Sequence, residues 1–264
     1  MSAVTIASSI AVLVLASAPV YAQWTKVPPA NIPRTPDGKP DLSAAPPRMP
    51  IGQPDLSGIW APQNTYDGQP ANFAANLKVD NIPYQLWAKA LFEERTTGAH
   101  ASEDPSARCL PQGIPRVDAA PGQWKLIQKP EFIVILYEAF SILWRQIFLD
   151  GRELAADVPP TWLGYSTGRW DGDTLVVDTK GFNGKFWLDQ QGKPTTEALH
   201  VIERFRRKDF GHMDVEITID DTNAYARPWT FTEHVRLLTD TELMEAICNE
   251  NNRDLEHLPG GNLR

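Results

Sequence analysis

From Trp124 onward, apolar and polar residues alternate with a period of two, and each run ends at turn residues. That is the pattern of strands burying one face. It predicts strands over Glu131–Glu138, Phe140–Leu149, Trp162–Trp170, Thr174–Thr179, Ala198–Arg207, His212–Ile219, Trp229–Leu238 and Glu242–Cys248. Upstream, nine prolines between Pro28 and Pro54 forbid sustained helix or sheet and predict an extended arm over residues 23–54. Within the arm Pro40-Asp41-Leu42-Ser43 recurs as Pro54-Asp55-Leu56-Ser57. Only the second copy runs on into a strand-like start, Gly58-Ile59-Trp60, so the first reads as a local duplication. One helix is predicted over Ile82–Thr97, with Pro83 in its first turn and Leu86, Trp87, Ala90 and Leu91 as a core-packing stripe. Asp104 to Pro121 reads as loop.

Eight or more short strands joined by short turns predict an all-β fold, an antiparallel meander closed into a lipocalin/calycin-like β-barrel. The organisation expected is a signal peptide over 1–22, the Pro-rich arm over 23–54, and a single barrel domain over 55–264 that includes helix 82–97.

Two hairpins can be given a register. With Asp171-Gly172 as the two-residue turn, Trp170 faces Asp173 and Tyr165 faces Asp178. With Asp209-Phe210-Gly211 as a three-residue loop, Arg206 faces Asp214, Arg204 faces Glu216 and His200 faces Asp220, so opposite charges pair along one face. The other face carries Val201, Phe205, Met213, Val215, Ile217 and Ile219.

That register puts Glu203 on the apolar face, and Glu233 shares its face with Trp229, Phe231, Val235 and Leu237. A carboxylate in an apolar row must be paired, hydrogen-bonded or held neutral. Such groups are candidates for general acid or base work. With one strand between them their backbones lie about 10 Å apart, at roughly 4.8 Å per strand. A purely structural role, bonded to an interior arginine or tyrosine or turned outward by a bulge, is the first expectation for each, with the catalytic role set against it. Arg145, on the face with Leu143, Ile147 and Leu149, is the interior counter-ion, unless the opposite face, with Gln146, is the inner one. Gly164, Ser166 and Gly168 strip volume from one face, leaving either a cavity or room for a segment to pack closely. Tyr165, Trp187 and Trp229 are candidate ligand contacts, set against the ordinary core packing that nine tryptophans imply.

Composition narrows the function classes. A formal charge of -8 and a pI near 5.2 repel a phosphate backbone, which disfavours nucleic acid. The uncharged run before Val20-Tyr21-Ala22 predicts export to the periplasm or outside, with cleavage after Ala22. It falls well short of the roughly 20 residues a membrane span needs. Cys109 and Cys248 are expected to form a disulfide across a long loop; two free thiols are the alternative, and neither has a partner at zinc-site spacing. His200, His212 and His234 stand singly on faces read as exterior, so no metal is expected. No GxSxG, P-loop or dinucleotide fingerprint occurs, and no cofactor is expected.

Four segments together, Pro54-Asp55-Leu56-Ser57-Gly58-Ile59-Trp60, Cys109-Leu110-Pro111-Gln112-Gly113-Ile114-Pro115-Arg116, Gly164-Tyr165-Ser166 with Trp170 through Asp178, and Glu203-Arg204-Phe205-Arg206-Arg207, resemble a family of exported bacterial proteins with no assigned activity. The resemblance implies export and the barrel. It also marks Asp189, Thr196 and Glu203 as polar members of a motif in which relatives place a histidine where this chain has Thr195.

Three functions compete. The first is a barrel binding a small hydrophobic or aromatic molecule, with Tyr165, Trp187 and Trp229 as contacts and Arg145 anchoring an anionic group. The second is a cofactor-independent lyase, isomerase or cyclase in which Glu203 and Glu233 move a proton and Arg145 steadies negative charge. The third is an envelope scaffold docking through the arm.

Overall fold

A computed structural model describes residues 32–63, 82–120, 122–138, 143–154, 157–248 and 250. The leading segment with its cleavage site, residues 23–31 of the arm and residues 140–142 of a predicted strand lie outside the described residues.

The wall is a closed barrel of nine strands in sequence order: β1 (Gly58–Pro62), β2 (Trp124–Gln128), β3 (Phe132–Tyr137), β4 (Leu143–Phe148), β5 (Tyr165–Asp171), β6 (Thr174–Lys180), β7 (His200–Arg207), β8 (His212–Asp220) and β9 (Trp229–Leu238), with β9 closing onto β1. Each antiparallel neighbour reverses strand direction, and a walk around a closed ring must return to the starting direction. Nine strands therefore cannot all be antiparallel. The exception is β4–β5, a parallel pair joined at Ile147↔Ser166 and Phe148↔Thr167, which corrects the wholly antiparallel meander read from the sequence.

The charge-paired hairpin has the expected register, with Arg206↔Asp214, Arg204↔Glu216 and His200↔Asp220. Its ion pairs are shared more widely: Arg204 also reaches Asp171 at 3.0 Å, and Asp214 takes Lys208 at 3.0 Å and His234 at 2.6 Å. The other hairpin is slipped. Asp171 pairs with Thr174, Trp170 with Leu175 and Tyr165 with Lys180, because the loop is Gly172-Asp173. Glycine at the first loop position, at φ +59°, suits a II′-type turn and leaves Asp171 in the strand. The slip is two residues, so every side chain keeps its face.

Three further corrections concern elements. β2 escaped the strand reading, residues 242–248 form no strand, and the helix is α1 (Leu86–Thr96), beginning after Pro83 rather than around it. Its buried face is Ala88 and Phe92, while Leu86 is 90% exposed and Trp87 nearly half exposed. The face is chosen by distant partners: Phe92 stacks on Tyr84 at 5.3 Å and lies under the Lys193 ammonium, and Arg95 lies over the Trp187 ring at 4.5 Å.

Both barrel ends are covered. At one, α1, the segment 110–120 with its short helix α2 (Arg116–Ala119), and the connection 182–199 pack together. Gln85 N–H donates to Ala224 C=O, Tyr225 OH to Pro194 C=O, and a Cβ on Gly113 (φ +75°) would lie 2.2 Å from the Phe186 ring. At the other end the proline arm straps down. Its duplication is longer than four residues: Pro33-Arg34 to Gly38 and Pro47-Arg48 to Gly52 make the same turn, each arginine donating to its glycine C=O at 2.7 Å. Gly211 N–H donates to Leu42 C=O, and Arg48 pairs with Asp173. Arg207, between the Trp60 and Phe210 rings, donates to the C=O of Asp55, Asp209 and Phe210. With carbonyls rather than a carboxylate as its partners, burial lowers this guanidinium to about 10. Cys109 and Cys248 form the expected disulfide, spanning 139 residues.

Candidate functional site

Inside the wall the alternating strands deliver aliphatic and aromatic side chains almost everywhere, so the polar exceptions stand out. β4 carries Arg145, which pairs with Ile135 of β3 in register and is fully buried. Its guanidinium grips Glu203 of β7 with both terminal nitrogens, Nη1 to Oε1 at 3.0 Å and Nη2 to Oε2. Nε donates to Ser166 Oγ at 3.1 Å, and Nη2 to Thr179 Oγ1 at 2.8 Å. Four of its five N–H groups are thus used inside the protein. Burial by itself would lower the guanidinium's pKa; Glu203 outweighs it and raises the value. The inner face of β4 is therefore the Arg145 face, and the small residues of β5 serve close packing. A Cβ on Gly168 would lie 2.7 Å from Leu149, and Ser166 bonds the arginine.

Two more carboxyls share this interior. Asp118, in α2, is brought under the barrel wall by the cover segment; its Oδ1 accepts from Tyr137 OH of β3 at 2.7 Å, and its C=O accepts from Trp124 Nε1 at 3.1 Å. Oδ2 has no partner among the described residues. Burial, then the Glu203 charge, push Asp118 up to about 7 against the opposing pull of Arg145. Tyr137, buried beside it, is held well above the usual tyrosine range. Glu233 of β9 sits opposite Val215, 4% exposed, with Oε2 likewise unpartnered. Burial first, then Asp118 and Glu203, raise it well above the carboxylate range, toward the neutral form.

Among the described residues the barrel interior thus contains one self-neutralised ion pair and two carboxyls without a counter-ion of their own. Chemically, Asp118 can take or give a proton near neutral pH and Glu233 can donate a hydrogen bond.

The structure brings Glu203 and Glu233 into this interior as the alternation placed them, and of the two faces left open on β4 it turns the Arg145 face inward. Trp229 joins them from β9, stacked on Phe231 at 5.7 Å and edge-on to Tyr225 at 5.5 Å, its indole N–H unpartnered among the described residues. Tyr165 does not join: it lies on the outer wall, stacked on Phe148, with its hydroxyl accepting from Arg152 at 3.1 Å. Trp187, Asp189 and Thr196 belong to the end cover. Trp187 and Arg95 border a surface groove of about 390 Å³ with Gln190 and Gln191. Asp189 pairs with the equally buried Lys193 at 2.5 Å. Thr196 donates to Asp221 through both N–H and hydroxyl, at 2.7 Å each. Thr195, where relatives are expected to carry histidine, donates its hydroxyl to Phe186 C=O at 2.6 Å and so closes the cover loop.

His200, His212 and His234 each bond an aspartate on the exterior, and among the described residues no three metal-ligating side chains cluster. Asp118 and Tyr137 escaped the sequence reading. Tyr137 was findable, as a hydroxyl in phase with Ile133 and Ile135; Asp118 sits in a segment without period, where no face can be assigned.

No protein-family model matches the chain. No curated protein matches it either. A solved structure similar to it is the crystal structure of a mutant of the fluorescent protein UnaG, at 16% identity over 70% of this chain and 97% of that one. The TM-score is 0.34, a superposition too loose to bear on function.

Proposed function

We propose that this chain is an exported protein whose barrel binds a small, partly aromatic molecule in its interior. One observation carries the reading. Among the described residues, Asp118 Oδ2, Glu233 Oε2 and the Trp229 indole N–H are buried without hydrogen-bond partners inside a closed wall of aliphatic and aromatic side chains. Buried polar atoms are almost always satisfied, and a set of orphans in one interior calls for a guest that supplies the missing partners. The disulfide, the motifs resembling exported bacterial proteins and the uncharged leading segment support a periplasmic or secreted location. The decisive experiment is native mass spectrometry of protein purified from its own compartment. A retained small molecule is expected; a protein that emerges empty and also takes up no aromatic compound refutes the reading.

The acid/base alternative has its own support in the Asp118 carboxyl at about 7 beside a Glu233 held toward neutrality. In that case the proton-moving pair is Asp118 and Glu233, since Glu203 is occupied by Arg145. Asp118→Asn would then cost about 100-fold or more in turnover, whereas a pure binder leaves its guest chemically unchanged. The scaffold reading finds less support, because Leu42, Arg48 and Pro54 of the arm are engaged by the barrel itself.

A further inference from the structure

We propose that the guest of the barrel carries a cationic nitrogen, as in an aromatic amine or amidine, and that Asp118 and Glu233 receive it. This rests on the binding function above and narrows it to a ligand class. The sequence alone suggested the opposite sign, an anion anchored by Arg145. The geometry removes that anchor, because Arg145 is chelated by Glu203 and further bonded to Ser166 and Thr179. Among the described residues an entering anion would meet no uncompensated positive charge there, and two carboxyls without a counter-ion.

A cation meets the reverse. Asp118 and Glu233 are 5% and 4% exposed, each has an oxygen without a partner among the described residues, and neither is hydrogen-bonded to a lysine or arginine. The titratable and charged groups that face them among the described residues are Tyr137, which donates to Asp118, and the Arg145–Glu203 pair, whose charges cancel. An N–H⁺ group would supply both the missing hydrogen bonds and the missing charge. The Trp229–Phe231 stack, on the same face of β9 as Glu233, provides aromatic surface that attracts a cation. Binding a cation must also drive protons off these carboxyls, since charge on the guest favours their ionised forms. That proton release separates a cationic guest from a neutral one of the same shape.

The test is isothermal titration of the full oxidised chain with benzamidine, benzamide and benzoate, in buffers of differing ionisation heat between pH 6 and 8. Benzamidine should bind at least about tenfold tighter than the other two. Its affinity should rise with pH, and binding at pH 6 should release protons into the buffer. Glu233→Gln and Asp118→Asn should each weaken it about tenfold with unchanged circular dichroism, the first serving alone if the second misfolds. Preference for benzamide or benzoate overturns the cationic assignment while leaving a binding barrel. So does benzamidine binding without proton release and indifferent to both substitutions. If none of the three binds, the molecule retained in native mass spectrometry decides: a cation supports the assignment, a neutral or acidic one overturns it, and an empty protein overturns the binding function itself.

Discussion

Asp118→Asn isolates the energetic consequence of sealing a carboxyl inside the barrel. In the unfolded chain this group ionises near 3.8; in the native state it does so at about 7. Between those values the folded protein holds a proton that the unfolded chain has released, so stability falls as pH rises through the window and levels off above it. The displacement corresponds to roughly 4 kcal/mol. Asparagine never ionises, and its Oδ1 can keep the Tyr137 hydroxyl bond at 2.7 Å. The variant should therefore match the wild type near pH 4 and pull ahead as pH rises. The gain should plateau above pH 7 at a few kcal/mol. Urea denaturation of both oxidised proteins from pH 4 to 8.5 measures the difference curve, with equal m-values confirming that the same surface is exposed. Parallel stability curves, or a variant that is weaker at pH 8, would show that Asp118 carries no burial penalty in the native state and would refute the reasoning.

Two further outcomes follow from the geometry. Arg145→Met leaves Glu203 completely buried without its counter-ion and should cost about 3–5 kcal/mol, much of which returns in Arg145→Met/Glu203→Leu; a urea double-mutant cycle measures both, and additive losses would deny the coupling. Removing the 139-residue cross-link by Cys109→Ser should cost roughly 4–5 kcal/mol, and reductant should weaken the wild type, but not the variant, by the same amount.

The barrel and the deepest part of its site were legible because they follow from period two. Once His200–Arg207 and His212–Asp220 are registered by opposite charges, Glu203 is forced inward, and the same alternation turns Glu233 inward, whereas β4 left Arg145 and Gln146 as alternatives that the structure resolves in favour of Arg145. What failed lacks a period or depends on distant chain. Asp118 enters the interior from a cover segment whose path only the tertiary structure fixes. The helix offered an apolar stripe at Leu86, Trp87, Ala90 and Leu91, yet its contacts with Tyr84, Trp187 and Lys193 turn Ala88 and Phe92 inward instead. The Asp171–Thr174 turn slipped because Asp-Gly signals a hairpin without saying whether the aspartate ends the strand or begins the loop. The parallel neighbours could not be seen at all, since strand count decides them and β2 had gone uncounted.

A ring of odd number cannot be antiparallel throughout, and here the parallel join is also the shortest: two matched positions hold β4 to β5, against eight between β7 and β8. That short join is the weakest seam of the enclosure, with Arg145 on one side of it and Ser166 on the other. Amide protons along this seam should exchange with solvent before those of the long seams, and the arginine that reaches across to Ser166, Thr179 and Glu203 is the clasp that reinforces it.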